Sequence, residues 1–288
     1  MTLDVRLDVA DPFVNSGNEP PELEVPLAPA RRTRYRTARV GLRALLPLTV
    51  LGLWWLLSGL GWVPTNLLPG PVAIAQTFWS MLSTQNLVGQ LGVSLTRAAV
   101  GLAVGGTIGL VLGIAVGLSR LGEELVDSSM QLLRTVPFIA LSPLFIVWLG
   151  IGNVPKETLI ALACSFPIYL NTSNGVRNVD RKMVEAARSF GLGGTRLIRE
   201  VILPSALPSI LTGLRYATGI SVLALVAAEQ IATTAGLGYL MLNAEQLVQV
   251  NVIFVCVVLY AVLGIGGDLL VRGLERTLLP WRRVGAVR

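Results

Sequence analysis

The stretch "VEAARSFGLGGTRLIREVILPSALPS", Val184 to Ser209, sets charged residues in the middle of a very apolar chain. From Arg181 onward, Met183, Val184, Ala186, Ala187 and Phe190 share one helical face, while Arg181, Lys182, Glu185 and Arg188 stay largely off it. Asp180 stands where an N-cap is expected and Gly191 where a C′ glycine ends a helix. A second short helix is predicted from about Thr195 to Leu203, with Leu197, Ile198, Val201 and Ile202 together on one side. Pro204 and Pro208 mark the return to the next apolar run, Pro204 near a helix start where a missing N–H costs little. By periodicity alone, the pair fits an amphipathic loop lying on a membrane surface, and periodicity does not decide for or against that reading.

Outward from this stretch, the composition is that of a membrane protein. Hydrophobic residues make up 53% of the chain and charged ones 14%, against about 25% charged in soluble domains. The charges are also clustered: six Arg lie from Arg31 to Arg43, and no Lys or Arg occurs from Ala44 to Thr96. The basic excess follows span edges without aromatic interleaving, which argues against nucleic acid as a partner. With no histidine, Ser-His-Asp, Cys-His and HExxH chemistries are excluded. Cys164 and Cys256 sit in apolar runs with no metal-ligand spacing around them.

Six segments approach the roughly 20 apolar residues needed to span a bilayer. They run at about Ala44–Leu60, Ala98–Leu118, Met130–Leu149, Thr158–Asn174, Leu207–Ile231 and Val250–Val271, with a short interfacial helix expected near Val72–Leu82. The basic run "RRTRYRTARVGLR" before the first span predicts a cytoplasmic N-terminus by the positive-inside rule. Threading from there places Arg120, six basic residues from Arg177 to Arg199 and five from Arg272 to Arg288 inside. Only Arg97, at a span edge, and Lys156 fall outside. The expected architecture is an all-α integral membrane protein of six transmembrane helices with both termini cytoplasmic. Residues 1–30, acidic, proline-rich and without period, are expected to be a disordered tail lacking the pattern of a signal peptide. Residues 31–43 form a basic juxtamembrane segment, 44–277 the membrane domain with its cytoplasmic loop at 176–205, and 278–288 a basic tail.

Gly101, Gly105, Gly109, Gly113 and Gly117 recur every fourth residue, so they line one helix face as overlapping GxxxG units. That pattern predicts a tight helix–helix seam in preference to a ligand site, because glycine lets backbones approach closely in lipid. Pro137, Pro143 and Pro167 are expected to kink the third and fourth spans.

"EAARSFGLGGTRLIREVILP" resembles the EAA loop of ABC importer permeases: EAA, three residues, Gly, nine residues, a hydrophobic residue, one residue, Leu-Pro. Glu185, Ala186, Ala187, Gly191, Leu203 and Pro204 match it, with Val201 in place of the usual Ile. The likeness extends from about Ala44 to Thr277 and is strongest to the alkanesulfonate, taurine and nitrate branch, above all the aliphatic sulfonate permeases. It is carried by "LLPGP", "SLTRAAVG", "LLRTVPFIALSPLFIVWLGIG", "FPIYLNTSNGVRNVD" and "AAEQIATTAGLGYLMLNA". The resemblance implies a type I ABC importer permease fold. It also implies a second permease copy, two ABC ATPase subunits that bind ATP and Mg, and an extracytoplasmic solute-binding protein. Glu185, Ala186, Ala187, Arg188, Gly191, Leu203 and Pro204 would then form the coupling element that docks on the ATPase. The chain carries no cofactor of its own: its two lysines, Lys156 and Lys182, lie in no GxxxxGK[ST] loop.

Pathway candidates are Ser142, Ser165, Asn171, Thr172 and Glu229, although each of the uncharged four could simply bond to a helix backbone. Glu229, near the outer end of the fifth span, would cost about 2.5–3.5 kcal/mol at mid-helix. It is read either as a gate or docking contact or as a charge reaching the interface, with no intramembrane partner evident. A secondary transporter would more often show paired ionisable residues or repeat symmetry, and a membrane enzyme would need a nucleophile and base.

Overall fold

Proline stands in the first turn of four of the described helices, and glycine spacing sets the tightest contacts between them. The computed structural model describes residues 32–281 apart from 63, 65, 120, 121, 123, 126–129 and 131–135, with side chains from residue 45 onward. The expected disordered tail, and the C-terminal tail beyond Trp281, lie outside the described residues. Two compact units divide the chain, 1–53 and 54–288, and the described part of the first is helical throughout.

Helix α1 (Arg32–Gly59) takes in both the basic run and the first apolar span. Helix α2 (Pro71–Thr84) begins on a proline and corresponds to the expected interfacial helix. Helix α3 (Leu87–Leu118) starts well before the predicted Ala98, because Arg97 is neutralised within the protein and does not end the helix. The third predicted span, Met130–Leu149, is not one kinked helix in its described part. Pro137 is extended (φ −66°, ψ 106°), a 3₁₀ turn follows at Phe138–Leu141, and α4 (Ser142–Leu149) restarts with Pro143 in its first turn. Pro137 stands outside any helix, whereas Pro143 fits the first turn of α4 with helical Ser142 (φ −52°, ψ −49°) before it, so the segment is divided at Pro137 where a bend was expected.

Helix α5 (Val154–Arg177) lies between α3 and α8 and is largely buried. Helix α6 (Arg181–Ser189) and the short α7 (Gly194–Leu197) form the charged stretch. Pro204 stands in the first turn of α8 (Leu203–Glu229), as expected, but no gap separates that helix from the one before it: a π turn at Ile198–Ile202 leads into it without interruption. The wide turn falls where the Pro204 ring would otherwise press on the carbonyl of Glu200. Helix α9 (Leu237–Gln246), which sequence periodicity did not reveal, precedes α10 (Val250–Leu278). Three stretches are long and apolar enough to cross a membrane by length and composition: Leu87–Leu118, Gly194–Glu229 and Val250–Leu278. Helix α5 has sufficient length but carries Lys156, Glu157 and Arg177 and is shielded by its neighbours.

The five glycines of the four-residue repeat in α3, Gly101, Gly105, Gly109, Gly113 and Gly117, all face α5. A β-carbon added at Gly101 would lie 2.6 Å from Ile160 Cβ, at Gly113 2.6 Å from Thr172 Cβ, and at Gly117 2.7 Å from Val176 Cβ. At Gly105 and Gly109 it would run into the carbonyl oxygens of Ala161 and Ser165. On its other side α5 meets α8 in the same manner, with Gly213 against Asn171 and Gly175 against Ser209. Three helices are thus packed backbone to backbone, where dispersion gains most per residue.

Candidate docking turn and buried charge cluster

The charged stretch builds a short helix with both ends closed. The Asp180 carboxylate accepts from the Lys182 amide at 2.9 Å, capping the start of α6. At the other end Gly191 adopts φ +82°, its N–H donates to Arg188 O at 2.9 Å, and Leu192 N–H donates to Ala187 O at 3.0 Å. These two bonds are the Schellman arrangement, which needs a left-handed residue at C′ and so favours glycine there. Ala187 and Leu197 are buried where α6 meets the following helix, and Ser205 Oγ lies 3.4 Å from Met183 Sδ. The apolar residues do not form one inward face, as periodicity had suggested. Phe190 is 87% exposed and Met183 50%, and Glu185, Ala186 and Arg188 are exposed beside them. Of the remaining matched residues, Leu203 is half-buried and Pro204 exposed at the start of α8.

At the opposite end of α8 the expectation that Glu229 lacks an intramembrane partner is corrected. Arg97 Nη1 of α3 lies 2.6 Å from Glu229 Oε1, and both side chains are buried. Ser94 Oγ contacts both carboxylate oxygens at 2.8 and 2.9 Å, while Gly238 N–H and Tyr260 OH each donate to Oε2 at 2.9 Å. Arg97 Nη1 also donates to Ala235 O at 2.7 Å, and Arg97 Nε donates to Asn153 Oδ1 at 2.9 Å. Ser94 Oγ also accepts from Leu237 N–H at 2.8 Å, and Gln90 Oε1 accepts from Gly236 N–H at 2.6 Å. Buried Lys156 donates to Gly152 O and to Ala232 O at 2.9 and 3.0 Å. A buried charge is tolerated only when it is paired and hydrogen-bonded, and both oxygens of the Glu229 carboxylate have partners here.

The glycines of "AGLG" leave room for this cluster. Gly236 has φ +107°, and a β-carbon there would lie 2.7 Å from Arg97 Nη1 and 2.9 Å from Ser94 Oγ. A β-carbon at Gly238 would overlap Glu229. The signal was present in the sequence, since Arg97 and Glu229 are lone opposite charges at the same predicted end of two spans.

The uncharged pathway candidates separate. Ser165 and Thr172 are buried against α3, Ser165 Oγ donates to Leu162 O at 2.8 Å, and half-buried Asn171 donates to Pro167 O at 2.8 Å. Buried Ser142 Oγ and Thr172 Oγ1 make no hydrogen bond in this structure. A further ionic group, unremarked in the sequence, joins α8 to α10: Arg215 pairs with Glu275 and lies 3.6 Å from Asp268, which Arg272 also engages at 2.6 Å.

Comparisons with known proteins bear on the family and the fold. Residues 105–280 match the family described as binding-protein-dependent transport system inner membrane component. The aliphatic sulfonates transport permease protein SsuC of Escherichia coli (strain K12) is 46% identical, over 82% of this chain and 90% of that protein. SsuC of Bacillus subtilis (strain 168) is 44% identical, over 83% and 86%. The taurine transport system permease protein TauC of Escherichia coli (strain K12) is 34% identical, over 86% and 91%. Among solved structures, a chain of the inward-facing MetNI methionine ABC transporter aligns with TM-score 0.53 at 22% identity, covering 65% of this chain and 95% of its own length. A chain of an amino acid ABC transporter aligns at 0.56 and 19%, covering 69% and 98%. At those identities the likeness concerns the fold.

Proposed function

Since the chain belongs to the binding-protein-dependent transport system inner membrane component family, we propose that it is the permease subunit of an ATP-driven importer of small aliphatic sulfonates. It is a multi-pass inner-membrane protein with the type I ABC permease fold. The substrate follows from identity: 46% and 44% to two aliphatic sulfonate permeases against 34% to a taurine permease. Taurine, itself a sulfonate, is the second reading.

The observation that carries the mechanism is the exposed Phe190 beside Glu185 and Arg188 on a doubly capped helix. An aromatic left in water next to charges is the composition of an interface hot spot. In this reading α6 enters a groove on a separate ATPase, which binds ATP and Mg, and the turn faces the cytoplasm. Two such ATPases act on two copies of this chain, and an extracytoplasmic solute-binding protein delivers the anion. ATP-driven closure draws the two α6 helices together, and α8 carries that displacement into the membrane. The paired charges Arg97 and Glu229 would suit a secondary transporter too, but the family assignment favours the ATP-driven reading.

Deletion of the gene, followed by growth with an alkanesulfonate as sole sulfur source, tests the substrate. Loss of growth that this chain restores is the expected result. Unimpaired growth on alkanesulfonates with loss on taurine alone selects the second reading.

A further inference from the structure

We propose that Arg97 and Glu229 are positioning residues for transport, fastening the far end of the long helix that begins at the docking turn to α3. The inference rests on the reading of the chain as an ATP-driven permease, and it concerns how displacement at α6 is delivered across the membrane.

The chain is helical from Gly194 to Glu229, 36 residues, so this rod is about 54 Å long. One end adjoins the docking turn, and the other ends on the carboxylate of Glu229. There, bonds converge from four further parts of the chain: Arg97 and Ser94 from α3, Gly238 from α9 and Tyr260 from α10 directly, and Asn153 through Arg97. Lys156 of α5 ties down the same 230–236 loop through Ala232. Along its length the rod is set against α5 at Gly213, and α5 is set against α3 by the glycine seam.

A pull on the rod therefore has two outcomes. The rod slides past α3, which strands a buried charge, or α3, α5 and α8 move together, which strands none. The second is far cheaper, because separating a buried pair leaves its desolvation uncompensated. A purely structural role explains the pair less well: apolar residues of similar volume hold a core as firmly as a buried ion pair does, whereas directional bonds fix relative position. The cluster thus makes one lever of three helices, with its clamp at the end farthest from the docking turn.

The test uses the complete transporter, with its ATPase and binding protein, in vesicles. Uptake of a labelled short-chain alkanesulfonate and ATP hydrolysis are measured in the same sample. Wild type must first show ATP-dependent uptake, and its absence overturns the importer reading itself and not the clamp. In Glu229→Gln, uptake per ATP hydrolysed is expected to fall about tenfold or more, with Glu229→Asp recovering part of the ratio. Tyr260→Phe and Ser94→Ala, which remove bonds without stranding a charge, are expected to lower the same ratio less. Should Glu229→Gln fail to assemble, these two decide. A ratio unchanged from wild type, including in variants whose total activity falls only with the amount of assembled complex, overturns the proposal.

Discussion

Gly113 of α3 and Thr172 of α5 stand so close that a β-carbon on the glycine would lie 2.6 Å from Thr172 Cβ. Gly105 stands against the Ala161 carbonyl in the same way, and a backbone atom has no other rotamer to adopt. Gly105→Leu is accordingly expected to destabilise the protein by about 3 kcal/mol, seen as a lower thermal midpoint in detergent. Gly92→Ala lies on the same helix with open space around it, and a gain of about 0.5 kcal/mol is expected there.

Gly191 closes α6 in a left-handed conformation, φ +82°. Gly191→Val imposes about 1–2 kcal/mol of backbone strain and should fray the last turn of α6. Membrane insertion is expected to be normal, while the amount of ATPase co-purifying with the chain drops. Undiminished co-purification would show that the turn is not what the partner reads.

Phe190 and Glu185 test the same surface by chemistry instead of shape. Phe190→Asp and Glu185→Arg are each expected to weaken binding to the ATPase by about tenfold or more, measured by titrating purified ATPase onto the permease in nanodiscs. Phe190→Trp, which preserves the exposed aromatic, should bind within about twofold of wild type.

The two buried cations of the cluster should differ. Arg97→Met strands the Glu229 carboxylate and is expected to cost about 3–5 kcal/mol. Lys156→Met removes a charge whose hydrogen bonds among the described residues go to the carbonyls of Gly152 and Ala232, and a cost of about 1–3 kcal/mol is expected. Thermal unfolding of both variants in one detergent reads the order directly, and equal losses would contradict the assignment of Arg97 as the neutralising partner.

Gly236→Ala is expected to be more damaging than its size suggests. The added carbon meets Ser94, Arg97 and Glu229 at once, and φ +107° is unfavourable for any L side chain. A loss of about 3 kcal/mol or more follows from strain and a broken buried network together, visible as protease sensitivity near the 230–236 loop.

Much of this was legible in the residues. Helical periodicity gave α6, Asp180 and Gly191 gave its two ends, and the four-residue glycine repeat gave a seam whose partner only coordinates could name. Hydropathy placed the ends of α5, α8 and α10 to within several residues. It misplaced the start of α3, since a charge was taken as the edge of a span and its neutralisation by a residue 132 positions away has no local signature. It placed Pro204 correctly near a helix start but separated the preceding short helix from α8, because propensity does not anticipate that a π turn can join the two across a proline. Helix α9 was missed because it is short and begins with Gly236 and Gly238, glycines that serve the charge cluster more than the helix.

Phe190 has a consequence for the life of the chain before any transport occurs. A subunit that presents a bare aromatic to water carries a mark of being unassembled, of the kind that chaperones and proteases act upon. Made without its partner, the wild-type chain is expected to be turned over faster than Phe190→Ser, and co-expression of the ATPase should abolish the difference. The contact proposed to drive transport would then also set how many orphan permeases a membrane retains.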